Sequence, residues 1–243
     1  MLKRIFIYLL LSSCFVITAQ TYEVGLTIGG TNFVGDIGRT RFVDFNDVGF
    51  GLIAKWNRSE RHAFRFSATY LPISDDDLDS GKSRREFRGT NGFRFKNSVK
   101  EFSLGIEFTF WEWDLHQGDQ QLTPYLYTGI TVINHGDLAR TPSEDPPVEI
   151  KSFGNDWNMA IPAVFGVKAS LFSKLVVGFE VGARYTFTDN LDGSEPVNLN
   201  LPSRPNSVPL DLSFGNENKK DWYFYNALTL TYTFGRKPCY CKF

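Results

Sequence analysis

Cysteines, histidines and a run of aspartates are the residues in this chain whose types and spacing could do chemistry. Cys239 and Cys241 stand in the closing segment Gly235-Arg236-Lys237-Pro238-Cys239-Tyr240-Cys241-Lys242-Phe243. A Cys-x-Cys spacing is poor for an unstrained mutual disulfide, because the two Cβ vectors do not meet at bridging distance. In an oxidising compartment such thiols point to intermolecular pairing through Cys239 or Cys241. A reduced, frayed tail is the competing reading, and a two-cysteine zinc site would need further ligands from a partner.

The three histidines, His62, His116 and His135, are far apart in sequence. His135 with Asp137 could seed a catalytic pair, but no nucleophile–base–acid set assembles from the spacing. Asp75, Asp77, Asp79 and Glu86 partly mimic a calcium loop. The glycine falls one place late, at Gly81, and Lys82, Arg84 and Arg85 would oppose a cation. A solvated charged loop is the better reading. Its basic residues, with Arg88, Arg94 and Lys96, could bind lipopolysaccharide phosphates. The expectation is therefore no enzyme, no cofactor and no metal.

The elements that must position these residues begin after a secretory leader. Lys3 and Arg4 precede an apolar run from Ile5 to Val16 and a small-residue end at Thr18-Ala19, which reads as a signal peptide over residues 1–19. Cys14 leaves with it, as do two basic residues and no acidic ones, taking the formal charge from −1 to −3. That balance does not point to nucleic acid. Downstream, no run of about 18 apolar residues offers a membrane helix.

Period-2 alternation takes over instead. In the last strand Trp222, Phe224, Leu228, Leu230, Tyr232 and Phe234 share one side, with Tyr223, Tyr225, Ala227, Thr229, Thr231 and Thr233 on the other. Similar runs begin near Tyr22, Val48, His62, Phe102, Leu122, Ile161 and Leu175. The spacing predicts an all-β, eight-stranded antiparallel up-and-down transmembrane barrel over residues 20–235, with 236–243 as a periplasmic tail. Segments 74–100, 139–157 and 188–221 read as long outer loops, and the turns after strands two, four and six as short periplasmic ones.

Aromatics agree with two membrane interfaces. Tyr22, Trp56, Trp111, Trp113, Tyr125 and Phe234 fall toward one rim, and Phe33, Tyr70, Trp157, Tyr185 and Trp222 toward the other. The lumen-facing set contains Glu23, Lys55, Arg65, Glu107, Lys168, Glu180 and Arg184. Eight strands leave a lumen just filled by side chains, so these charges are expected to pair rather than line a pore.

The first-strand block Glu23-Val24-Gly25-Leu26-Thr27-Ile28-Gly29-Gly30-Thr31-Asn32-Phe33-Val34-Gly35-Asp36 resembles the opening of the PorG-type outer-membrane barrels of the type IX secretion system. The aromatic closing strand and the basic, cysteine-bearing tail are also similar. The resemblance implies a non-enzymatic component that ties the periplasmic PorK–PorN ring to the outer membrane. From topology, the docking face would comprise the turns Asn57–Arg61 and Trp113–Gln121 and the tail, with Arg236, Lys237, Cys239, Tyr240 and Cys241 as contacts. Two other classes remain in view. One is a stand-alone surface barrel that binds lipid or extracellular ligands through its long outer loops. The other is a soluble lipocalin-like binder, against which speak the Gly, Thr and charged residues on every inward face.

Overall fold

The computed structural model describes residues 21–38, 45–77, 92–114, 120–140, 148–172, 174–195, 214 and 220–235. The leader at 1–19 and the tail at 236–243 lie outside the described residues. The strands are β1 (Thr21–Val34), β2 (Asp47–Asn57), β3 (His62–Asp76), β4 (Phe93–Thr109), β5 (Leu122–Arg140), β6 (Val148–Phe172), β7 (Leu175–Thr186) and β8 (Trp222–Gly235). Each pairs antiparallel with its sequence neighbour, and β1 closes on β8, with Thr21 opposite Gly235 and Val34 opposite Trp222. The fold is the expected closed eight-stranded barrel.

Closure follows from the residues. Along β1 and β2 the outward positions are Val24, Leu26, Ile28 and Phe50, Leu52, all largely exposed, while Glu23, Thr27 and Lys55 are buried inside. Such a wall has an apolar outside and a polar inside, so it is stable only where hydrocarbon replaces water. There every backbone amide must find a partner, which a closed barrel provides and an open sheet does not. The architecture is that of an outer-membrane barrel.

Two strands exceed their expected lengths. β4 begins at Phe93, inside the stretch read from sequence as loop, and β6 begins at Val148 within the proline-bearing segment 139–157. The reason is a change of environment partway along the wall. In β4 Arg94, Lys96 and Lys100 point outward, while Phe93, Phe95 and Val99 are buried inside. Past Lys100 the chemistry inverts, with Glu101 buried and Phe102 and Leu104 exposed. β3 inverts after Tyr70, ahead of buried Leu71 and Ile73, and β5 after Val132, ahead of buried Ile133. The strand ends beyond these points behave as a water-soluble barrel, apolar inside. They carry Phe33, Phe95, Val99, Leu138 and Ile150 into one cluster in the lumen there, joined by Ile37 and Leu191 from the adjoining connections.

That cluster corrects two expectations. The inward faces are not uniformly polar, since the long-loop end of the lumen is packed with hydrocarbon. Phe33 belongs to this packing, 4.9 Å from Phe95 ring to ring, rather than to an interfacial belt. Trp113 and Tyr125 are likewise buried inside instead of facing lipid.

Candidate functional site

Below the apolar cluster the lumen holds Glu23, Glu101, Glu107 and Glu180 with Lys55, Arg65, Lys168 and Arg184, all buried. Strand parity fixes each of them on the inside, and a narrow barrel brings opposite walls within side-chain reach. Glu107 sits between Lys168 and Lys55, with Nζ–Oε distances of 2.7 Å to each, and Arg65 lies 3.8 Å away. The Lys55 contact is a charge pair rather than a directed hydrogen bond, since Glu107 Oε2 accepts none. Arg65 grips Glu180 at two points, 2.6 and 3.0 Å, and Tyr125 donates its hydroxyl to the same carboxylate at 2.5 Å.

A second group lies nearer the apolar cluster. Arg184 Nε donates to Glu101 at 3.1 Å, and the Tyr223 hydroxyl donates to Glu101 at 2.7 Å. At the short-turn end, two residues from Thr21, Glu23 accepts from Asn57 and Thr231, each at 2.8 Å. Aromatic faces complete the shell: Arg65 is 4.5 Å from the Tyr127 ring centre and Lys168 is 4.7 Å from that of Trp113. Trp113 thereby caps the lumen at the short-turn end. A buried charge costs several kcal/mol unless paired, and here four acids face four bases. The predicted inward set is present in full. Glu101 was not legible as a member, because it follows directly on a stretch crowded with outward charges.

At the other end the start of the β7–β8 connection folds over the lumen. Asn190 donates to Asp137, Asn97 donates to the Leu191 carbonyl at 2.9 Å, and the Leu191 amide donates to Asp221 at 2.9 Å. Asp192 accepts from the amides of Asp36 and Ser194. Burial, with Asp36 and Asp192 close by, pushes the Asp189 carboxyl up to about 6. Burial does the same for Asp192, also to about 6, and holds Asp221 well above the usual range, with Asp192 adding to the effect.

The candidate catalytic and metal residues find structural employment. His135 Nε2 faces the Asn158 side-chain amide at 3.1 Å, and Asn158 also donates to Asp156. An amide N–H₂ only donates, so Nε2 accepts and Nδ1–H donates to the Gly136 carbonyl, 3.0 Å away. Asp137 accepts a hydrogen bond from Asn190. His62 lies at the short-turn end against Ser59 and Phe108. His116 lies outside the described residues, as do Asp79 and Glu86. Asp77 accepts from the amides of Gly38 and Phe93, and Asp75 from that of Asp76. Among the described residues, no three potential ligands gather to hold a metal ion.

The short-turn rim is tightly tied. Trp113 donates its amide to the Glu60 carbonyl and Thr109 to that of Arg61, both at 2.9 Å, while Gln121 and Asp114 exchange two bonds. The expected contacts Arg236, Lys237, Cys239, Tyr240 and Cys241 lie outside the described residues. Gly235, the last residue before them, is at this rim, opposite Thr21.

Residues 3–243 match the family described as "Domain of unknown function (DUF6089)". The chain belongs to this family. Solved barrels similar in shape to this DUF6089 member include a major outer membrane protein from Thermus thermophilus. That match has 12% identity, covers 89% of this chain and 100% of the other, and has a TM-score of 0.46. The N-terminal β-barrel domain of Pseudomonas aeruginosa OprF is 10% identical over 89% and 98% of the two chains, with a TM-score of 0.43. The attachment invasion locus protein Ail of Yersinia pestis is 9% identical over 90% and 100%, with a TM-score of 0.41. No curated protein sequence matches the chain.

Proposed function

We propose that this chain is a non-enzymatic barrel of the outer membrane that anchors the periplasmic PorK–PorN ring of a type IX secretion machine. The observation that carries the reading is the lumen. Paired charges occupy its short-turn half and packed hydrocarbon the other, so the described side chains fill the lumen rather than line a channel. Solute passage would need a channel, whereas anchorage needs only a rigid membrane body with a docking face.

The short-turn rim suits that task. Its turns are cross-tied by backbone bonds, and both barrel termini, Thr21 and Gly235, sit there. The block Glu23–Asp36, on which the PorG-type resemblance rests, runs through β1 at the seam with β8. Arg236, Lys237, Cys239, Tyr240 and Cys241 are the proposed contacts, with a disulfide to the ring through Cys239 or Cys241.

The test is a pull-down from detergent-solubilised outer membranes, run without reductant, comparing wild type with the Cys239→Ser/Cys241→Ser variant. A ring component recovered as a reducible adduct, and lost in the variant, supports the anchor and places its contact at the tail. Recovery without an adduct keeps the anchor and retires the disulfide. A barrel that comes out alone in every gentle detergent overturns the reading and turns attention to the long outer loops.

A further inference from the structure

We propose that the β2–β4 face of the barrel holds one phosphate-bearing membrane lipid, its acyl chains in a groove over Ala68 and its headgroup on Lys96 and Lys100. This goes beyond the anchoring role and does not depend on it.

The groove arises from one small side chain in a row of large ones. Ala68 on β3 points to lipid between its register partners, Leu52 on β2 and Phe102 on β4. The next row carries Phe50, Tyr70 and Lys100, with the Phe50 and Tyr70 rings 5.7 Å apart. Leu26 and Ile28 extend the wall onto β1, and the open trough they border measures about 760 Å³. Its surface is almost wholly hydrocarbon except at one lip, where Lys100 stands. An apolar trough with a cation at its membrane-surface end has the polarity of an amphiphile, chain below and anion above.

The charge inventory around that lip decides the sign of the headgroup. Arg94 is committed to Asp76, at 2.5 and 2.7 Å. Glu149 lies 3.4 Å from Lys151, and Asp75 accepts from the Asp76 amide. Lys96 and Lys100 share the outward face of β4, about 13 Å apart at strand rise, and neither forms an ion pair with a described residue. Two ammonium groups that form no ion pair with a described residue, at the edge of the apolar belt, attract phosphate. Asp76 and Glu149 are offset by Arg94 and Lys151, and Asp75 is buried opposite inward-facing Phe95, off the face that carries the two lysines.

The experiment uses the full barrel, purified in a mild non-ionic detergent and examined by native mass spectrometry. Dimyristoyl phosphatidylglycerol, phosphatidylcholine with the same chains, and inorganic phosphate are titrated in turn. One phosphatidylglycerol per barrel should be retained, with a preference over phosphatidylcholine of roughly tenfold or more. Lys96→Ala/Lys100→Ala should abolish the preference. Ala68→Phe should lower retention of both lipids with the lysines intact, and Ala68→Leu serves if the larger side chain prevents folding. Inorganic phosphate should not compete. Equal retention of both lipids by the wild type, or an unchanged preference in the double-lysine variant, means ordinary annular lipid and overturns the proposal. Displacement by inorganic phosphate, or full retention when the groove is filled, means a surface anion site without a chain pocket and overturns it equally.

Discussion

Arg65 on β3 and Glu180 on β7 meet as a two-point pair at 2.6 and 3.0 Å, from positions 115 residues apart in the chain. Their strands are not neighbours in the sheet, so the pair spans the lumen and joins opposite walls. A barrel holds its strands edge to edge by backbone bonds, but nothing in those bonds resists flattening of the cylinder. Cross-lumen pairs supply that resistance, and in a water-poor interior they do so at short range.

Removing both partners should therefore cost less than the two single removals added together. Arg65→Leu leaves Glu180 and Glu107 each with one cation fewer, and Glu180→Leu leaves Arg65 with the 3.8 Å contact to Glu107 and the face of Tyr127. Each single change is expected to cost about 3–5 kcal/mol, the scale for an orphaned buried charge, and the double variant clearly less than their sum. Urea unfolding of vesicle-refolded protein, followed by tryptophan fluorescence, gives the cycle. Simple additivity would mean the two residues act independently.

A second prediction concerns the space that Tyr125 occupies. A Cβ at Gly166 on β6 would collide with the Tyr125 ring, lying 2.6 Å from its hydroxyl oxygen. Gly166→Ala should thus push Tyr125 off Glu180 and destabilise the barrel by about 1–3 kcal/mol. The same change in a Tyr125→Ala background should be nearly silent. Heat-modified mobility on gels gives the midpoint for all four proteins, and an equal loss in both backgrounds would contradict the packing assigned here.

The acidic lid over the long-loop end should respond to pH. Asp189 and Asp192 are pushed up to about 6, and Asp221 is held well above its usual range, by burial and by the neighbouring carboxylates. Between about pH 4 and 6 the folded lid therefore holds protons that the unfolded segment has released. Stability then falls as pH rises through that window and is recovered on acidification. Amide exchange over residues 187–195, corrected for intrinsic rates, should be slower at pH 5 than at pH 7.5. Asp189→Asn should narrow the difference, and stronger protection at pH 7.5 would reverse the assigned sign.

The barrel was readable from sequence because alternation in the membrane half is regular and turn residues break it cleanly. Parity also named every member of the paired lumen network but Glu101. What hid the outer half of β4 was a change of solvent, not a loss of periodicity. Phe93, Phe95 and Val99 alternate as regularly as Phe102 and Leu104, but on the opposite face, beside outward Arg94, Lys96 and Lys100. A search for apolar residues facing out registers that stretch as loop. Trp113, Tyr125 and Phe33 misled for a related reason. Aromatic type suggested the interface, whereas parity put Tyr125 on the same side as Tyr127, and inside. Which acid meets which base depends on barrel shear, which no single strand encodes.

That change of solvent along the wall can be tested directly, because a charge on the outer surface should be costly on one side of the boundary and harmless on the other. Leu104 on β4 is 63% exposed and lies between Phe66 and Ile130, near the middle of the apolar belt. From Lys100 to Phe110 the wall runs about ten residues, roughly 24 Å of height at the usual strand tilt, the thickness of the hydrocarbon band. Leu104→Lys should destabilise the vesicle-embedded barrel by about 2–4 kcal/mol. Phe153 on β6 is also exposed, at 45%, but stands beyond Trp157 among Lys151, Ser152 and Asn155. Phe153→Lys should change stability by under about 0.5 kcal/mol, the range of ordinary surface substitutions. In a micelle of short-chain detergent the penalty at Leu104 should shrink while the effect at Phe153 stays small. A large penalty at both positions would mean that the bilayer reaches farther up the strands, and that the outward lysines of β4 lie within it rather than at its edge.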